Sequence, residues 1–230
     1  MKPTESLNIS RGFVLKNRTL LAAMTNKQSH EDGTLSTEEI DWLTRRAKGD
    51  FAITTTAAAN VTEFGRGWEG EMGVWGDHQL PGLTKMATKL NSAGTISLVQ
   101  LFHGGMRAPR SINGVRPVSA SENTESGMDG EFTRAMSSDE VNNMIQSFTK
   151  AAIRCEQAGF HGVELHGAHS YLICQFLGEK TNRRTDKWGG DIRGRSRFLL
   201  ELITSIRAAT SEHFLIGVRI SPKIEKAGIY

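Results

Sequence analysis

Short apolar runs alternate with amphipathic stretches along most of the chain. The runs are rich in Val, Ile, Leu and Thr, as buried strands are. They lie at residues 19–24, 51–56, 95–101, 162–165 and 214–220. Between consecutive runs, apolar residues recur with helical spacing in four segments that begin near Ser36, Pro81, Ser137 and Arg197. This alternation predicts a parallel sheet with helices on its outside.

Several residues mark where the predicted helices begin and end. Ser36 stands three positions before Glu39, and Ser137 stands three before Glu140, which is the spacing of a capping box. A proline near the start and a glycine just past the end bracket the helix predicted at 81–93. These signals support helices between the strands.

Two other stretches lack a sustained period. Residues 13–18 predict a small hairpin or turn ahead of the first strand. Residues 103–136 are polar and repeatedly broken by proline and glycine. Loops of that length in compact domains are usually functional or disordered, so we expect this stretch to be one of the two.

Composition narrows the class of protein. The chain has 230 residues, with 28 Lys plus Arg against 25 Asp plus Glu and no basic run interleaved with aromatics, which argues against nucleic acid as a partner. No apolar run approaches the ~20 residues that span a bilayer, and the first residues do not resemble a secretory signal. Cys155 and Cys174 indicate neither a disulfide framework nor an iron–sulfur site. We expect a cytoplasmic enzyme with no membrane partner.

The richest chemistry follows the fourth apolar run. His166, His169 and Tyr171 stand within six residues at the end of that strand. Imidazole N–H groups can polarise a carbonyl and a phenol can supply a proton, so a strand end that aims all three at one volume suits acid–base chemistry. For any one of them, an ordinary loop residue is the alternative, and a lone His-x-x-His spacing is also compatible with metal binding. We predict no metal site.

Chemically suggestive residues stand at the predicted carboxyl ends of all five strands. They are Thr25, Ala57 and Ala58, Gln100, His166 and Arg219. Active sites of (β/α)8 barrels are built on that rim. We therefore predict an α/β fold of the (β/α)8 TIM-barrel type. Residues 1–230 would form a single partial domain with about the first five βα units, and units six to eight would be absent.

One block of sequence resembles a known family. It comprises HGAHSYL at 166–172, Gln175-Phe-Leu, TNRRTDKWGG at 181–190 and Arg195-Ser-Arg-Phe-Leu. This block resembles the old yellow enzyme family, the FMN-dependent NAD(P)H:flavin oxidoreductases and ene-reductases. The resemblance runs from about residue 7 to residue 230.

The resemblance implies a flavin site on the rim. Thr25, with Ala23 and Met24 before it, would contact the flavin and tune its potential. Ala58 would let the ring approach, and Gln100 would read the pyrimidine edge, since its amide suits an imide. The alternatives are a Thr25 bonded to nearby backbone, a small residue that merely packs the strand end, and a structural glutamine.

Arg219 has two interpretations of similar weight from the residues alone. A guanidinium that points into a barrel mouth is unfavourable unless it meets an anion. That anion could be a structural carboxylate. The resemblance instead implies the negative charge of a reduced flavin.

The resemblance also implies a reaction. His166 and His169 would hold the carbonyl or phenolate oxygen of the substrate, and Tyr171 would protonate its α-carbon. NADH or NADPH would pass hydride to FMN, which would pass it to the β-carbon of an α,β-unsaturated aldehyde or ketone in a ping-pong cycle. No dinucleotide-binding Gly-x-Gly-x-x-Gly motif is needed, because both reactants would use the same flavin face.

The sequence departs from the family pattern in places. Ala23 replaces a proline, Ala57 replaces a glutamate, and residues 178–180 replace the usual Ser-Pro. The loops after strands seven and eight, which grip phosphate in many barrels, would also be absent. We therefore expect weakened FMN binding and self-association through open sheet edges.

Two other functions are alternatives to this enzyme. One is an inactive remnant with weak or no FMN binding, which acts, if at all, by association with another chain. The other is a tRNA dihydrouridine synthase, which the near-neutral charge and the His-Gly-Ala-His-Ser-Tyr block disfavour.

Overall fold

A computed structural model describes residues 2–124, 133–223, 225 and 228. Within these residues the strands are β1 (Leu7–Asn8), β2 (Val14–Leu15), β3 (Leu20–Leu21), β4 (Ile53–Asn60), β5 (Met72–Gly73), β6 (Ile96–Phe102), β7 (Val118–Ser119), β8 (Arg134–Ala135), β9 (Gly162–Gly167) and β10 (Leu215–Ile220). The α-helices are α1 (Thr37–Ala47), α2 (Leu80–Ser92), α3 (Arg110–Asn113), α4 (Ser138–Gln157), α5 (Leu172–Leu177) and α6 (Ile192–Ala209).

The main sheet follows the order of the chain. Its strands lie in the order β3, β4, β6, β9 and β10, and every pair is parallel. Helices α1, α2, α4 and α6 occur in turn between these strands. Successive parallel strands with intervening helices form a partial (β/α) barrel, which confirms the predicted fold class.

The first predicted strand is shorter in the structure than in the sequence-based prediction. Only Leu20 and Leu21 pair with β4, opposite Ile53 and Thr54. Further along, that edge of β4 is taken by β5, so residues 22–25 lie outside the sheet. The prediction of a strand over 19–24 was wrong for this reason.

The second predicted strand and the last predicted helix also have different bounds in the structure. β4 continues to Asn60, because Ala59 and Asn60 pair with both β5 and β6. Helix α6 begins at Ile192 rather than near Arg197, since the Asp191 carboxylate accepts a hydrogen bond of 2.9 Å from the Gly194 amide.

The two predicted capping boxes differ. At α4, Ser137 Oγ accepts from the Glu140 amide and the Glu140 carboxylate accepts from the Ser137 amide at 2.7 Å, so the box is complete. At α1, Ser36 Oγ accepts from the Glu39 amide, but the Glu39 carboxylate does not return to Ser36. It accepts instead from Asn26 and Ser29 in the segment after β3. The second half of that prediction was wrong.

An N-terminal hairpin closes one end of the sheet. β1 pairs antiparallel with β2, with Leu7 opposite Leu15, so the hairpin begins earlier than the predicted 13–18. Leu15 packs in a small apolar cluster with Ala52, Ile96 and Leu215, which lie at the amino ends of the strands. The opposite, carboxyl end therefore remains available for a site.

The outer helices are fixed by a large apolar core. Phe148 of α4 and Phe176 of α5 both contact Phe198 of α6, with ring centroids 6.4 and 4.5 Å apart. Trp188 is fully buried in the same cluster. Burial of each phenylalanine side chain stabilises the fold by roughly 1.5–3 kcal/mol. The helices thus hold the strand ends in place.

The long polar stretch is partly ordered. Within residues 103–124 and 133–136 it contains a 3₁₀ turn at Gly105–Arg107, helix α3, and the short parallel pair β7 and β8. Residues 125–132 of this predicted loop lie outside the described residues. No helix among the described residues is long and apolar enough to cross a membrane.

Candidate active site

A cavity of about 170 Å³ opens at the carboxyl ends of the main strands. Its lining residues are Ala23, Met24, Thr25, Ala58, Trp68, Gln100, His166, His169, Tyr171 and Arg219. All nine residues that the sequence predicted for the site are among them. Trp68 is the one lining residue that the prediction missed.

Three larger clefts lie elsewhere in the described part of the chain. Two of them measure about 440 and 410 Å³ and are lined by Glu31 and Arg66. The third measures about 260 Å³ and is lined by residues from Phe13 to His161. None of the three contains any of the nine predicted residues. The cavity of about 170 Å³ is the strongest candidate, because acid–base groups, an amide and a guanidinium converge on it.

Strand register explains why distant residues meet. Ala58 on β4 is opposite Gln100 on β6, and Gln100 is opposite Glu164 on β9. One step further, His166 is opposite Arg219 on β10. These side chains therefore form two adjacent rows across the sheet.

A bulge in β4 brings Ala58 into its row. Between Thr55 and Ala58 the register against β6 shifts by one residue. The hydroxyl of Thr56, inside the bulge, accepts a hydrogen bond of 3.3 Å from the backbone N–H of Gln100. Because a one-residue shift reverses the face of every following side chain, the bulge decides that Ala58 lines the cavity.

His166 is held as a neutral donor toward the cavity. Its Nδ1 accepts a hydrogen bond of 3.4 Å from the Ala168 amide, which assigns the proton to Nε2. Burial, with smaller contributions from positive charges nearby, lowers the pKa of His166 to about 3. At neutral pH the ring is therefore uncharged and offers one N–H.

His169 and Ser170 form a strained turn between β9 and α5. Their φ angles are 56° and 60°, in the left-handed region that residues other than glycine rarely adopt. The turn places the His169 ring 5.1 Å from that of His166, nearly perpendicular to it. Burial and the charges of Arg219 and Arg107 lower the pKa of His169 as well.

Tyr171 completes the group. Its ring lies 5.0 Å from His166 and 4.5 Å from Phe102, both at steep angles. The Arg107 guanidinium stands over the same ring at 4.8 Å and donates a hydrogen bond of 2.9 Å to the His169 carbonyl. Arg107 therefore fixes both the phenol ring and the turn, although no pattern in the sequence singles it out.

The side chain of Gln175 holds the turn at His169 and Ser170 in place. Its Nε2 donates to the carbonyls of Ser170 (2.7 Å) and Gly104 (3.2 Å). Its Oε1 accepts from the Met106 amide (3.0 Å) and the Ser119 hydroxyl (2.9 Å). The side chain is fully buried and uses all four of its hydrogen-bonding positions. It joins the loops after β6 and β9, although sequence reasoning assigned it no role.

Gln100 and Arg219 both contact a residue that the sequence prediction did not assign. Glu164 Oε1 accepts from Gln100 Nε2 at 2.7 Å and from Arg219 Nε at 3.2 Å. The Nε of Arg219 therefore binds a structural carboxylate, which is the first of the two interpretations given for this residue. Glu164 precedes His166 by two positions, so the period of the strand places both on one face. That spacing is the signal that could have found it.

Trp68 belongs to the loop between β4 and β5. Its ring lies 5.2 Å from that of Phe102. The loop folds around Glu71, whose carboxylate accepts from the Gly67 amide at 2.6 Å and from the Trp68 amide. Burial raises the pKa of Glu71 well above its usual range. A tryptophan in a glycine-rich polar loop was the available sequence signal.

The segment after β3 supplies Ala23, Met24 and Thr25. Thr25 is exposed, and its hydroxyl has no hydrogen-bond partner within the described ranges. The local backbone bond that was the alternative for Thr25 is therefore not seen in this part of the chain. The hydroxyl remains available to a bound molecule.

The open groups of the cavity fit the imide edge of a flavin. Gln100 uses one N–H on Glu164, and its Oε1 accepts nothing from the described residues, so it offers an acceptor and a second donor. Arg219 uses its Nε on Glu164, and its two Nη groups have no acceptor among those residues. An imide presents an N–H between two carbonyl oxygens, which this set of donors and acceptor can match. No cluster of three or more potential metal ligands occurs in the described part of the chain.

Fold and site together define a class: a partial (β/α) barrel with a polar cavity at the carboxyl ends of its strands. Residues 6–227 match the model of the NADH:flavin oxidoreductase / NADH oxidase family, and the chain belongs to that family. Flavin dependence and a nicotinamide reductant are properties of the family, and the resemblance to old yellow enzymes is confirmed.

Individual relatives and solved structures support this family assignment. A probable NADH-dependent flavin oxidoreductase of Bacillus subtilis, YqiG, is 38% identical over 224 residues, which are 95% of this chain and 59% of that protein. The old yellow enzyme homologue from Zymomonas mobilis has a TM-score of 0.90 at 27% identity, over 100% of this chain and 66% of that one. Morphinone reductase in complex with tetrahydroNAD has a TM-score of 0.89 at 28% identity, over 99% and 66%. The chain thus spans about three fifths to two thirds of these proteins.

Proposed function

We propose that the protein is an FMN-dependent NAD(P)H oxidoreductase that reduces the C=C bond of α,β-unsaturated carbonyl compounds. The observation that carries the proposal is the cavity itself. Two neutral imidazoles, a phenol, an amide and a guanidinium, from three strands and the turn after β9, line one volume of about 170 Å³. Family membership supports the flavin, and the amide beside a guanidinium supports FMN bound through its imide edge.

Gln100, Arg219, Thr25 and Ala58 would hold the cofactor. FMN, when bound, supplies the hydride chemistry that no side chain can provide. Gln100 would bind the imide through its free Oε1 and N–H, and Arg219 would stabilise negative charge near that edge. The small side chain of Ala58, together with Ala23 and Met24, would leave room for the ring.

His166 and His169 would bind the substrate's carbonyl oxygen. Because His166 carries its proton on Nε2, it can donate a hydrogen bond without the charge of an imidazolium. Two such donors polarise the conjugated C=C bond by withdrawing electron density toward the oxygen. Tyr171, packed against His166, would then donate its phenolic proton to the carbon next to the carbonyl.

A ping-pong cycle follows if reductant and substrate use the cavity in turn. One structural neighbour, morphinone reductase, was solved with tetrahydroNAD bound. For the present chain, NADH and NADPH are both proposed reductants.

A second candidate function has its own observation. β3 and β10 are the outer strands of the described sheet, and they expose Leu20 (41%) and Ile220 (56%). Unpaired strand edges with apolar side chains favour association. In this alternative the chain binds FMN weakly and acts, if at all, with another chain, or a second copy, against these strands.

An anaerobic titration with FMN tests the proposal. Flavin fluorescence would report binding, and NADH or NADPH followed by cyclohexenone would report each half-reaction. Saturable binding with turnover supports the oxidoreductase. Absence of binding overturns it, and sedimentation velocity on the same sample then tests association through the outer strands.

A further inference from the structure

Glu164 is the only buried carboxylate among the described residues that contacts two of the proposed flavin ligands. It stands in the middle of β9, between Gln100 on one neighbouring strand and Arg219 on the other. It does not itself line the cavity. Glu164 therefore influences a bound flavin without touching it, through these two side chains and through the field of its own charge.

The contact with Gln100 fixes the orientation of an amide. A carboxylate in an ion pair only accepts hydrogen bonds, so the side of Gln100 that faces Glu164 must be Nε2. The carbonyl oxygen of the amide is then directed away from Glu164. If Glu164 were neutral glutamine, either orientation of Gln100 could find a partner, because an amide both donates and accepts.

The contact with Arg219 offsets a positive charge. Nε of Arg219 lies 3.2 Å from Oε1 of Glu164, while the Nη groups have no acceptor among the described residues. The Glu164 side chain is largely buried, so solvent screens the pair less than it would at the surface. The guanidinium that lines the cavity therefore has its charge partly offset by Glu164, which lies outside the cavity.

We propose that Glu164 is a positioning residue that fixes the amide orientation of Gln100 and moderates the charge of Arg219, and thereby sets the reduction potential of the bound flavin. This inference rests on the proposed function, because it assumes that these two side chains contact the flavin. It adds a role for a residue that touches neither cofactor nor substrate.

The decisive variant is Glu164→Gln, which keeps the shape and removes the charge. Arg219 would then act on the flavin undiminished and favour the anionic reduced form, so the midpoint potential should become more positive. Loss of the fixed Gln100 amide should weaken FMN binding about tenfold, as expected when a buried charged hydrogen bond is lost. Glu164→Asp, which keeps the charge, should leave the potential close to that of the wild type.

A control variant removes a more exposed ion pair elsewhere in the chain. Glu140 binds Arg134 through two hydrogen bonds of 2.6 and 2.7 Å and does not line the cavity. Glu140→Gln should lower stability without moving the potential. A purely structural Glu164 would behave in the same way, so an unchanged potential in Glu164→Gln would overturn the inference.

A measurement without flavin separates this inference from the proposed function. The side-chain amide resonances of Gln100, assigned by their loss in Gln100→Ala, report its hydrogen bond in the free chain. We expect Glu164→Gln to shift both resonances and speed their exchange with water. Unchanged resonances would refute the fixed amide. If the wild-type chain binds no FMN, the proposed function fails, and this spectrum alone still decides whether Glu164 orients Gln100.

Discussion

Nε2 of Gln175 donates a hydrogen bond of 2.7 Å to the carbonyl of Ser170, a residue whose φ is 60°. That bond holds the second residue of the strained turn on which His169 and Tyr171 depend for their direction. Left-handed backbone at two successive residues is unfavourable by roughly 1–3 kcal/mol each and persists only when its surroundings enforce it. A fully buried glutamine with four hydrogen bonds provides that enforcement.

Gln175→Met should therefore destabilise the protein strongly. The change keeps the volume but leaves two carbonyls, an amide and a hydroxyl without their partner, which should lower the free energy of unfolding by about 3–5 kcal/mol. Urea unfolding followed by far-UV circular dichroism measures the loss. Gln146→Met, at an exposed position of α4, is the matched control and should change stability by less than about 0.5 kcal/mol. A loss of similar size in both variants would contradict the role of Gln175.

Tyr171→Phe should separate the two halves of the proposed reaction. Phenylalanine keeps the packing against Phe102 and His166 and removes only the phenolic hydroxyl. Reduction of bound flavin by NADH or NADPH should proceed at nearly the wild-type rate. Reoxidation by cyclohexenone should slow by about 10²-fold or more, because the proton donor is lost. Stopped-flow absorbance resolves the two steps, and equal slowing of both would argue against a proton-donor role.

Two buried histidines should make the fold sensitive to acid. Burial lowers the pKa of His103 to about 4 and that of His166 to about 3, from an ordinary value near 6.5. The unfolded chain takes up these protons first, so stability is fully present above pH 6.5 and is lost as pH falls toward 4 and 3. Each histidine contributes a slope of up to about 1.4 kcal/mol per pH unit in that window.

His103→Asn tests this account. The asparagine side-chain oxygen can replace Nδ1 as the acceptor of the Gly105 amide, which His103 now binds at 3.0 Å. The variant should lose less stability than the wild type between pH 6.5 and 4.5, whatever its stability at pH 7.5. Urea unfolding at the three pH values supplies the comparison. Parallel pH profiles for the two proteins would show that His103 does not titrate as described.

Periodicity and strand-end position predicted much of the site because both are local. An apolar run specifies a strand, and parallel strands in chain order bring their carboxyl ends together, so His166, Gln100 and Arg219 had to lie near one another. The resemblance added Thr25 and Ala58, which composition alone would have left as ordinary strand-end residues. The lining of the cavity agrees with these predictions, while the roles of its residues remain proposals.

What the sequence could not predict depends on contacts between distant segments. The bulge near Thr56 arises from pairing with β6, and the end of β3 from competition with β5 for one edge of β4. Glu39 carries a capping-box spacing, yet Asn26 and Ser29 offer its carboxylate better partners. Trp68 lines the cavity from a loop that shows neither helical nor strand periodicity. In each case a tertiary partner overrides a local signal.

Glu71 should give the protein a second pH dependence, of opposite sign. Burial raises its pKa well above the ordinary value near 4.5, and its Oε1 has no partner among the described residues. The unfolded chain therefore loses this proton first as pH rises. Below about pH 4.5 Glu71 carries no ionisation penalty, and above it the folded state is progressively disfavoured until the folded pKa is passed.

Glu71→Gln should remove that penalty. Glutamine resembles the protonated carboxyl, and its oxygen can still accept the Gly67 amide that Glu71 binds at 2.6 Å. Thermal unfolding should show similar midpoints for variant and wild type at pH 4, and a midpoint a few degrees higher for the variant at pH 8. Glu63→Gln, an exposed residue of the same loop, controls for the loss of one negative charge. A difference between Glu71→Gln and wild type that stays constant from pH 4 to pH 8 would contradict the raised pKa.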